Sequence, residues 1–412
     1  MTTDMVTATA LTTDTLDENA GGRAEAERVL GELAAHLDAD LATNIGFPST
    51  LDIDYHRLWP FFNHVLNNVG DPFVESAYPR NTKHLERELL AWFAELLRAS
   101  HSWWGVTTSG GTEGIEYGLM HARRRYPDAV AVFSQAAHYS VMKSAIKLGL
   151  PTVAVRAGHD GMLDLYDLRD VVRAHRHRPI IVIASIGTTM TEAIDDVGTI
   201  RDILVELAVS RAWVHSDAAL SGLPLALLPP GGRPRYDLAD GADSISISGH
   251  KFLGSPFPCG VYITNRGSDG GSTVDYIATN DTTIAGSRSG HAPLIMWYAV
   301  KTLGRPGLLA RANRAWQVAA YAIEQLRRIG VPAWRHPHAM TVVLPTPPHE
   351  IAARWRLPTS GGLSHLITVP GVTTRTIDSF VADLRILTGH PEPQPGWTPI
   401  PASRSPAYGE TG

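Results

Sequence analysis

The chain has 412 residues, of which 44% are hydrophobic and 19% are charged, so its composition excludes a fully disordered protein and allows two or three domains with a sizeable core. Its 36 Lys and Arg residues stand against 41 Asp and Glu residues. The resulting net charge of −5 gives no electrostatic reason to expect a nucleic-acid or anionic-membrane partner. The single cysteine, Cys259, excludes an intrachain disulfide and a cysteine-based metal cluster.

The chain begins with an acidic stretch, "MTTDMVTATALTTDTLDENAGG", that contains no Lys or Arg. It therefore lacks the basic region of a secretory signal, and we expect a disordered tail over 1–25 on a cytoplasmic protein. No apolar run in the sequence approaches the ~18 residues of a membrane-spanning helix. The sequence thus predicts no membrane partner.

The next segment, 26–83, is predicted to be helical and then irregular. Its apolar residues recur at spacings of three and four, which predicts a helix, at Val29, Leu30, Leu33, Leu37 and Leu41. Gly46 and Pro48 then predict an irregular connection. A second apolar stripe in "HLERELLAWFAELLRA" predicts a helix over 84–99.

From there, short strands rich in Val and Ile alternate with segments of helical length. The predicted strands are "AVAVFS", "TVAVRA", "PIIVIASIG", "AWVHSDAAL", "DSISIS" and "GVYIT". Helix-length segments separate most of them, which is typical of a mainly parallel sheet covered by helices on both faces. We therefore expect an α/β large domain over 84–290.

After residue 290 the pattern changes to long helices. Helical periodicity over 291–303 and 308–329 precedes two predicted strands, "AMTVVLP" and "SHLITVP", each followed by a further helix. This order predicts a smaller α+β domain over 291–389. The last stretch, 390–412, is proline-rich and is predicted to be an extended or disordered tail.

A glycine pair in "TTSGGTEG" stands before a predicted helix. Gly110 and Gly111 allow close approach of the backbone to a ligand, and the free N–H groups of the helix start suit a phosphate. The spacing fits neither GxxxxGK[ST] nor GxGxxG, which removes support for ATP or NAD. An ordinary glycine turn is the alternative.

Three further polar features lie near predicted strand ends, and each has an ordinary structural interpretation. Asp217 could cap a strand, His138 could be a structural histidine, and Lys251, directly after His250, could be a surface lysine. Pyridoxal phosphate (PLP), however, requires a lysine for its aldehyde, a phosphate cradle, a carboxylate for its ring nitrogen and a flat partner for its ring. Ligands of open parallel sheets bind at the carboxyl ends of the strands. The combination therefore predicts a PLP site.

At these residues the sequence resembles the group II PLP-dependent amino acid decarboxylases, within them the branch of bacterial histidine decarboxylases and plant serine decarboxylases. The resemblance covers roughly 45–388. It is carried by the segments "LNNVGDPF", "SGGTEG", "FSQAAHYSVMK", "IGTTMTEAIDDV", "HSDAALSGL", "SISGHKFLGSPFPCGV", "TIAGSRSGHAPLIMWY" and "HLITVPGVT". The sequence departs from the common family pattern in two places. The residues "QAA" precede His138, and Ser289 stands where Asn is frequent. The resemblance implies PLP fold type I, which is similar to that of aspartate aminotransferase.

The resemblance also implies roles for individual residues. Lys251 would bind the cofactor aldehyde, Asp217 would pair with the ring nitrogen, and His138 and Ala219 would cover the two ring faces. The phosphate would be held by Ser109, Gly110, Gly111, Thr112, Ser248 and His250.

The ring hydroxyl and the neighbouring subunit complete the implied site. Thr188 or Thr189 would hydrogen-bond near the ring hydroxyl. The family is dimeric with shared active sites, so Arg288 in "GSRSGH" would reach the neighbour's cofactor. A homodimer is therefore expected.

The expected activity is α-decarboxylation of an L-amino acid, with histidine to histamine as the first choice. Serine or another small or modified amino acid is the alternative, followed by an aminotransferase or an aldolase-like enzyme on the same cofactor. A cofactor-free binding protein would not need Lys251, Asp217 and His138 together. No metal site is expected, because the histidine pairs in "HRHR" and "RHPH" lack carboxylate or cysteine partners.

Overall fold

The computed structural model describes residues 22–50, 52–267 and 271–388. The predicted tail over 390–412 and most of that over 1–25 lie outside these residues, whereas 22–25 form the first turn of a helix. The α-helices are α1 (Gly22–Leu41), α2 (Lys83–Leu96), α3 (Gly111–Arg125), α4 (Tyr139–Lys147), α5 (Leu165–His175), α6 (Val197–Glu206), α7 (Gly222–Ala226), α8 (His291–Arg328), α9 (His349–Arg354) and α10 (Thr374–Thr388).

A seven-stranded sheet forms the centre of the fold. Its strands are β1 (Trp104–Thr108), β2 (Val130–Ser134), β3 (Thr152–Val155), β4 (Ile180–Ser185), β5 (Ala212–Asp217), β6 (Ser244–Ser248) and β7 (Gly260–Thr264), in the order β1-β7-β6-β5-β4-β2-β3. The run from β3 to β6 is parallel, and β7 is antiparallel to both of its neighbours. The predicted mainly parallel sheet is confirmed.

Both faces of this sheet are covered, because successive residues of β2 and β4 belong to two different apolar clusters. Val130 and Val132 belong to one apolar core cluster, whereas Ala131 and Phe133 belong to another. Successive side chains of a strand point to opposite faces, so both faces are buried. This explains why β2 and β4 read as nearly continuous apolar runs, whereas β6 alternates Ser and Ile.

Helix α3 lies unusually close to the sheet because two glycines face it. A Cβ on Gly114 would lie 2.4 Å from Ser246 Cβ, and one on Gly118 would lie 2.5 Å from His215 Nδ1. Any larger side chain at either position would push α3 away from β5 and β6. The glycine spacing of "GTEGIEYG" therefore fixes the depth at which the N-terminus of α3 meets the strand ends.

Some strands have no counterpart in the sequence analysis, which predicts none before residue 129. The first is β1, whose run "WGVTT" is short and contains a glycine and two threonines. The hairpin of β8 (Ser272–Val274) and β9 (Thr279–Asp281) is the second omission. β8 and β9, with three residues each, are too short to show a periodicity, and β1 lacks a Val- and Ile-rich pattern. Pairing with a neighbour rather than local pattern makes these segments strands.

The C-terminal region forms a second, three-stranded sheet. Its strands β10 (Thr341–Pro345), β11 (Thr359–Ser360) and β12 (Leu363–Ile367) are antiparallel in the order β10-β12-β11. Helix α8 joins the two cores. Most of its buried apolar residues up to Trp316 pack in the core of the large sheet, and those from Ala319 onward pack in the core of the small sheet. The predicted domain boundary at residue 290 stays a prediction.

Helix α8 contains the interruption that the sequence predicts between 303 and 308. Gly304 has the non-helical dihedral angles φ 57° and ψ 177°, and Pro306 follows it. Helix α1 also forms as predicted, but none of its residues is buried. Within the described residues, no helix combines the length and the apolar character needed to cross a membrane.

Candidate active site

The carboxyl ends of five strands meet at one edge of the large sheet. Thr108 of β1 and Ser248 of β6 both pair with Gly260 of β7, so the ends of these two strands are level. Asp217 of β5 pairs with Ser246, which brings the end of β5 to the same edge. The loops that follow β2 and β4 open there as well. This register, which the sequence does not reveal, assembles the site.

A cavity of about 970 Å³ lies at this edge. It is lined by every predicted site residue except Arg288, namely Ser109, Gly110, Gly111, Thr112, His138, Thr188, Thr189, Asp217, Ala219, Ser248, His250 and Lys251. The N-terminal segment around Phe47 and the small sheet around His365 form its other wall. Residues far apart in sequence therefore share one concave site of the kind that binds small molecules.

The glycine loop and the start of α3 form one end of the cavity. Gly110 has φ 145°, a conformation that favours glycine, and among the described residues no side chain caps the helix there. A Cβ on Gly111 would lie 3.0 Å from Ser248 Oγ and 3.5 Å from Ala219 Cβ, so the loop lies directly on the ends of β5 and β6. The N–H groups of the first helical turn are therefore available to an anion.

Ser109 shows that this loop can hold a negative charge. Its N–H and its hydroxyl both donate to Glu113 Oε2, over 2.6 Å and 2.7 Å. A carboxylate oxygen thus occupies two donors at the mouth of the helix. Sequence analysis missed Glu113, although its position four residues after Ser109 was visible in "SGGTE".

Asp217 ends β5 with a buried oxygen that lacks a partner. Among the described residues, none donates a hydrogen bond to Asp217 Oδ1, although the side chain lies in the cavity wall. Burial raises the pKa of Asp217, while the charge of Lys251 and a hydrogen bond from the Ala219 backbone act in the opposite direction. An unpaired buried carboxylate oxygen is costly, and a cationic N–H donor would satisfy it.

Lys251 lies in the turn that follows β6 and reaches the same cavity. Burial lowers the pKa of its amine, and the negative charges of Asp217 and Glu192 limit the decrease. A lowered pKa increases the fraction of free amine, which is the form of lysine that attacks a carbonyl.

Two histidines are held in fixed orientations beside Lys251. The backbone N–H of Ser140 donates to His138 Nδ1, so the ring proton of His138 lies on Nε2. His250 Nδ1 lies 3.1 Å from the carbonyl oxygen and 3.2 Å from the amide nitrogen of Cys259. Burial lowers the pKa of both imidazoles, and Lys251 lowers it further. Both rings are therefore favoured in the neutral form.

Thr188 lies in a braced turn after β4. Its Oγ1 lies 2.9 Å from Thr191 Oγ1 and accepts a hydrogen bond from the Ala193 backbone. Thr188 and Thr189 both line the cavity, so the structure favours neither for the predicted hydrogen bond.

Arg288 lies elsewhere. Its guanidinium is buried and forms an ion pair with Glu86, with NH1 2.6 Å from Oε1, and its NH2 donates to the Gly70 carbonyl. It does not line the cavity of its own chain. The prediction that it reaches a neighbouring subunit's cofactor stays a prediction, and its pairing with Glu86 favours a structural role.

The side chains at the cavity fit PLP. Asp217 Oδ1 is a buried acceptor without a partner, Lys251 is a buried amine with a lowered pKa, and the start of α3 offers N–H donors. These are the groups that a pyridinium nitrogen, an aldehyde and a phosphate require. No metal is needed for this fit, and the described residues contain no cluster of three or more His, Cys, Asp or Glu side chains that could hold one.

Comparison with known proteins gives the same result. Residues 67–331 match the model of the pyridoxal-dependent decarboxylase conserved domain. The chain belongs to the pyridoxal-dependent decarboxylase family. It is thus a PLP enzyme of the carboxy-lyase class, which excludes the cofactor-free binding protein and favours decarboxylation over the aminotransferase and aldolase-like alternatives.

Individual relatives cover nearly the whole chain. A histidine decarboxylase of Mesorhizobium japonicum is 42% identical over 86% of this chain and 96% of its own. A histidine decarboxylase of Acinetobacter baumannii is 39% identical over 83% of this chain and 90% of its own. The solved structure of L-methionine decarboxylase from Streptomyces sp. 590 has a TM-score of 0.81 at 26% identity, covering 92% of this chain and all of that one. The predicted PLP type I fold is confirmed.

Proposed function

We propose that this decarboxylase converts L-histidine to histamine and carbon dioxide. The cavity that joins Lys251 and Asp217 to a second wall from the small sheet carries the proposal, because it offers room for an amino acid beside the cofactor. The name of the Mesorhizobium relative, which is similar over nearly its full length, supports histidine as the substrate. Serine or another small or modified amino acid is the second candidate.

Each residue at the sheet edge has a proposed task in this reaction. Bound at this site, PLP supplies the electron sink for the bond to the departing carboxylate. Lys251 holds the cofactor covalently through its amine. Asp217 keeps the ring nitrogen protonated through Oδ1, and His138 and Ala219 confine the ring between them.

Backbone N–H groups are proposed to bind most of the cofactor phosphate. The N–H groups of Gly111 and Thr112 lie at the positive end of α3. The hydroxyls of Ser109 and Ser248 and the His250 ring add donors. In this proposal Ser109 would release the Glu113 carboxylate and donate to the phosphate instead, because its N–H and O–H can serve only one of the two acceptors.

The substrate side chain is proposed to lie against the second wall of the cavity. That wall consists of Gly46, Phe47, Pro48, Pro358, Ser360, Leu363, His365 and Ile367. It is mostly apolar, with Ser360 and His365 as polar members. An imidazole has flat apolar faces and polar edges, so it matches this composition better than the small hydroxymethyl group of serine does.

A panel of L-amino acids assayed for carbon dioxide release tests the substrate. A kcat/KM for histidine on the order of 10³ above that for serine is expected, because polar groups arranged for an imidazole stay unpaired around a smaller side chain. Comparable values for the two amino acids would contradict the histidine assignment. Release from another amino acid alone would replace histidine with that substrate.

We also propose a homodimer. The apolar stripe of α1 is exposed, with Leu30 62% and Leu41 46% accessible, and the aromatic side chains of Trp59 and Phe62 are exposed nearby in sequence. An exposed apolar helix face supports an interface with a second copy of the chain. Light scattering should give twice the chain mass at micromolar concentration, and the double variant Leu33→Glu, Leu37→Glu should reduce it. A monomeric parent would contradict the dimer.

The cytoplasmic location stays a prediction of the sequence.

A further inference from the structure

Glu192 has a backbone conformation that its residue type disfavours. Its φ is 56°, in the left-handed region where glycine is the preferred residue, and its side chain is buried with 1% exposure. A buried carboxylate on a disfavoured backbone is destabilising in two ways. Contacts made by the carboxylate must therefore account for its place in the fold.

Three hydrogen bonds satisfy the Glu192 carboxylate. The Ser221 hydroxyl donates to Oε1 over 2.9 Å. The backbone N–H groups of Met340 and Thr341 donate to Oε2 over 2.9 Å and 2.7 Å. Glu192 thus joins a turn after β4, the segment after β5, and the start of β10 in the small sheet.

Two of the three joined segments border the active-site cavity, and the third, β10, pairs with a strand that lines it. The turn contains Thr188 and Thr191, which line it, and Ser221 follows the cavity residues Asp217 and Ala219 by a few positions. Strand β10 pairs along its length with β12, which carries the lining residue His365. A shift of β10 would therefore move the wall that faces the cofactor.

A second bridge connects the same wall to the N-terminal segment. His365 Nε2 lies 3.1 Å from the Gly46 carbonyl, and the histidine is buried with 1% exposure. This second bridge connects β12 to the N-terminal segment, whereas Glu192 connects β10 to the turn after β4. Both longer strands of the small sheet are thus tied to segments outside it.

We propose that Glu192 is a positioning residue of the decarboxylase, holding β10 and the small-sheet wall at the distance from Lys251 that the substrate requires. It contributes no group to the reacting atoms. The inference rests on the proposed decarboxylase site but not on the identity of the amino acid, because the same wall faces any substrate side chain.

A pair of substitutions separates the carboxylate from the backbone. Glu192→Gly removes the side chain and also gives the backbone the residue that φ 56° favours, so misfolding is not expected to mask the result. Glu192→Gln keeps the strained backbone and can restore all three contacts, since its amide oxygen can accept from Met340 and Thr341 and its amide nitrogen can donate to Ser221.

The holoenzymes should be compared on the best substrate of the amino acid panel. Glu192→Gly is expected to raise KM by about tenfold or more with a smaller decrease in kcat, because loose positioning weakens substrate binding first. Glu192→Gln should stay within about threefold of the parent in both constants. Cofactor affinity, measured by titration of the apoprotein with PLP, should weaken in the glycine variant and recover in the glutamine variant.

Asp383→Ala provides the matched control. Asp383 is also a carboxylate of the small-sheet region, accepts from Trp355 Nε1 over 3.0 Å, and does not line the cavity. It should lower the melting temperature and leave KM unchanged. A glycine variant within twofold of the parent KM, or a glutamine variant as impaired as the glycine variant, would overturn the positioning role. If the parent enzyme released carbon dioxide from none of the amino acids in the panel, that result would instead contradict the proposed function.

Discussion

Two buried carboxylates of this protein, Asp217 and Glu86, lie in opposite electrostatic situations. Glu86 accepts from Arg288, Thr107 and Asn68, and the nearby guanidinium lowers its pKa despite full burial. Asp217 keeps Oδ1 without a donor among the described residues, and burial raises its pKa. The chain itself pairs both oxygens of the Glu86 carboxylate, although Arg288 Nε lacks a partner among the described residues, whereas Asp217 keeps one oxygen open for a ligand. An unpaired carboxylate oxygen in a cavity wall, rather than burial of a carboxylate alone, therefore marks the functional region.

Within the cavity that contains Asp217, substitution of Lys251 should have the largest effect. Replacing Lys251 with alanine removes the amine that holds the cofactor, and we expect turnover to fall by at least about 10³-fold. Borohydride reduction followed by peptide mapping should label Lys251 in the parent, and Lys251→Ala should incorporate no label. A label on another lysine would refute the assignment, as would a yellow alanine variant with full turnover.

Substitutions in the Glu86–Arg288 pair should change the stability of the protein rather than its activity. Arg288→Met leaves Glu86 as an unpaired buried charge, so the free energy of unfolding should fall by about 3–5 kcal/mol. Denaturant unfolding measures this decrease, and kcat per folded molecule should stay within about threefold of the parent. A variant that keeps its stability and loses turnover would place Arg288 at a cofactor, as the sequence resemblance implies.

Asp217→Ala should reduce turnover by roughly 10²-fold, because a ring nitrogen without a carboxylate partner is a poorer electron acceptor. Its effect on stability should be small or even favourable, since the substitution removes a buried oxygen that lacks a donor in the apoprotein. Steady-state kinetics with saturating PLP, together with thermal unfolding of the apoprotein, check both parts. Turnover within about threefold of the parent would show that Asp217 does not act on the cofactor.

A buried histidine on the strand that carries Asp217 predicts a smaller, pH-dependent effect. His215 lies between Ser244 and Ser246, and burial lowers its pKa to about 3. Below the unfolded-state pKa of about 6.5, the unfolded chain takes up a proton that the native state refuses, so stability present above that pH is lost as the pH falls.

The resulting loss should be about 2 kcal/mol between pH 7 and pH 5 for this group. Urea unfolding at the two pH values measures it. His215→Gln cannot titrate and should reduce the difference by that amount. An unchanged pH dependence in the glutamine variant would assign the acid sensitivity to other groups.

Local patterns in the sequence predicted most of the elements correctly. The Val- and Ile-rich runs predicted β2 to β5 and β7, because strands covered on both faces are rich in apolar residues, and the alternation of Ser and Ile predicted β6. The interruption of α8 was visible because glycine and proline act on the backbone directly. The short strand β1 and the β8–β9 hairpin were missed because pairing partners, not their own residues, stabilise them.

At the site, the sequence by itself determined which reactive groups are present: an amine, a carboxylate, two imidazoles and a glycine loop. It also placed each of them after a strand or at the start of a helix. These properties depend on residue type and local spacing, which the chain states directly. Their combination predicted PLP, and the family resemblance then assigned a role to each of them.

Only the tertiary structure decided which groups lie together and which stay unpaired. The register of β1, β7 and β6 levels the strand ends, the ion pair with Glu86 keeps Arg288 out of the cavity, and Glu192 joins the two sheets across about 150 residues of chain. Such contacts arise between segments distant in sequence, so no local pattern reports them. The physical reason is that pairing and burial are properties of the assembled fold, whereas residue chemistry belongs to the chain.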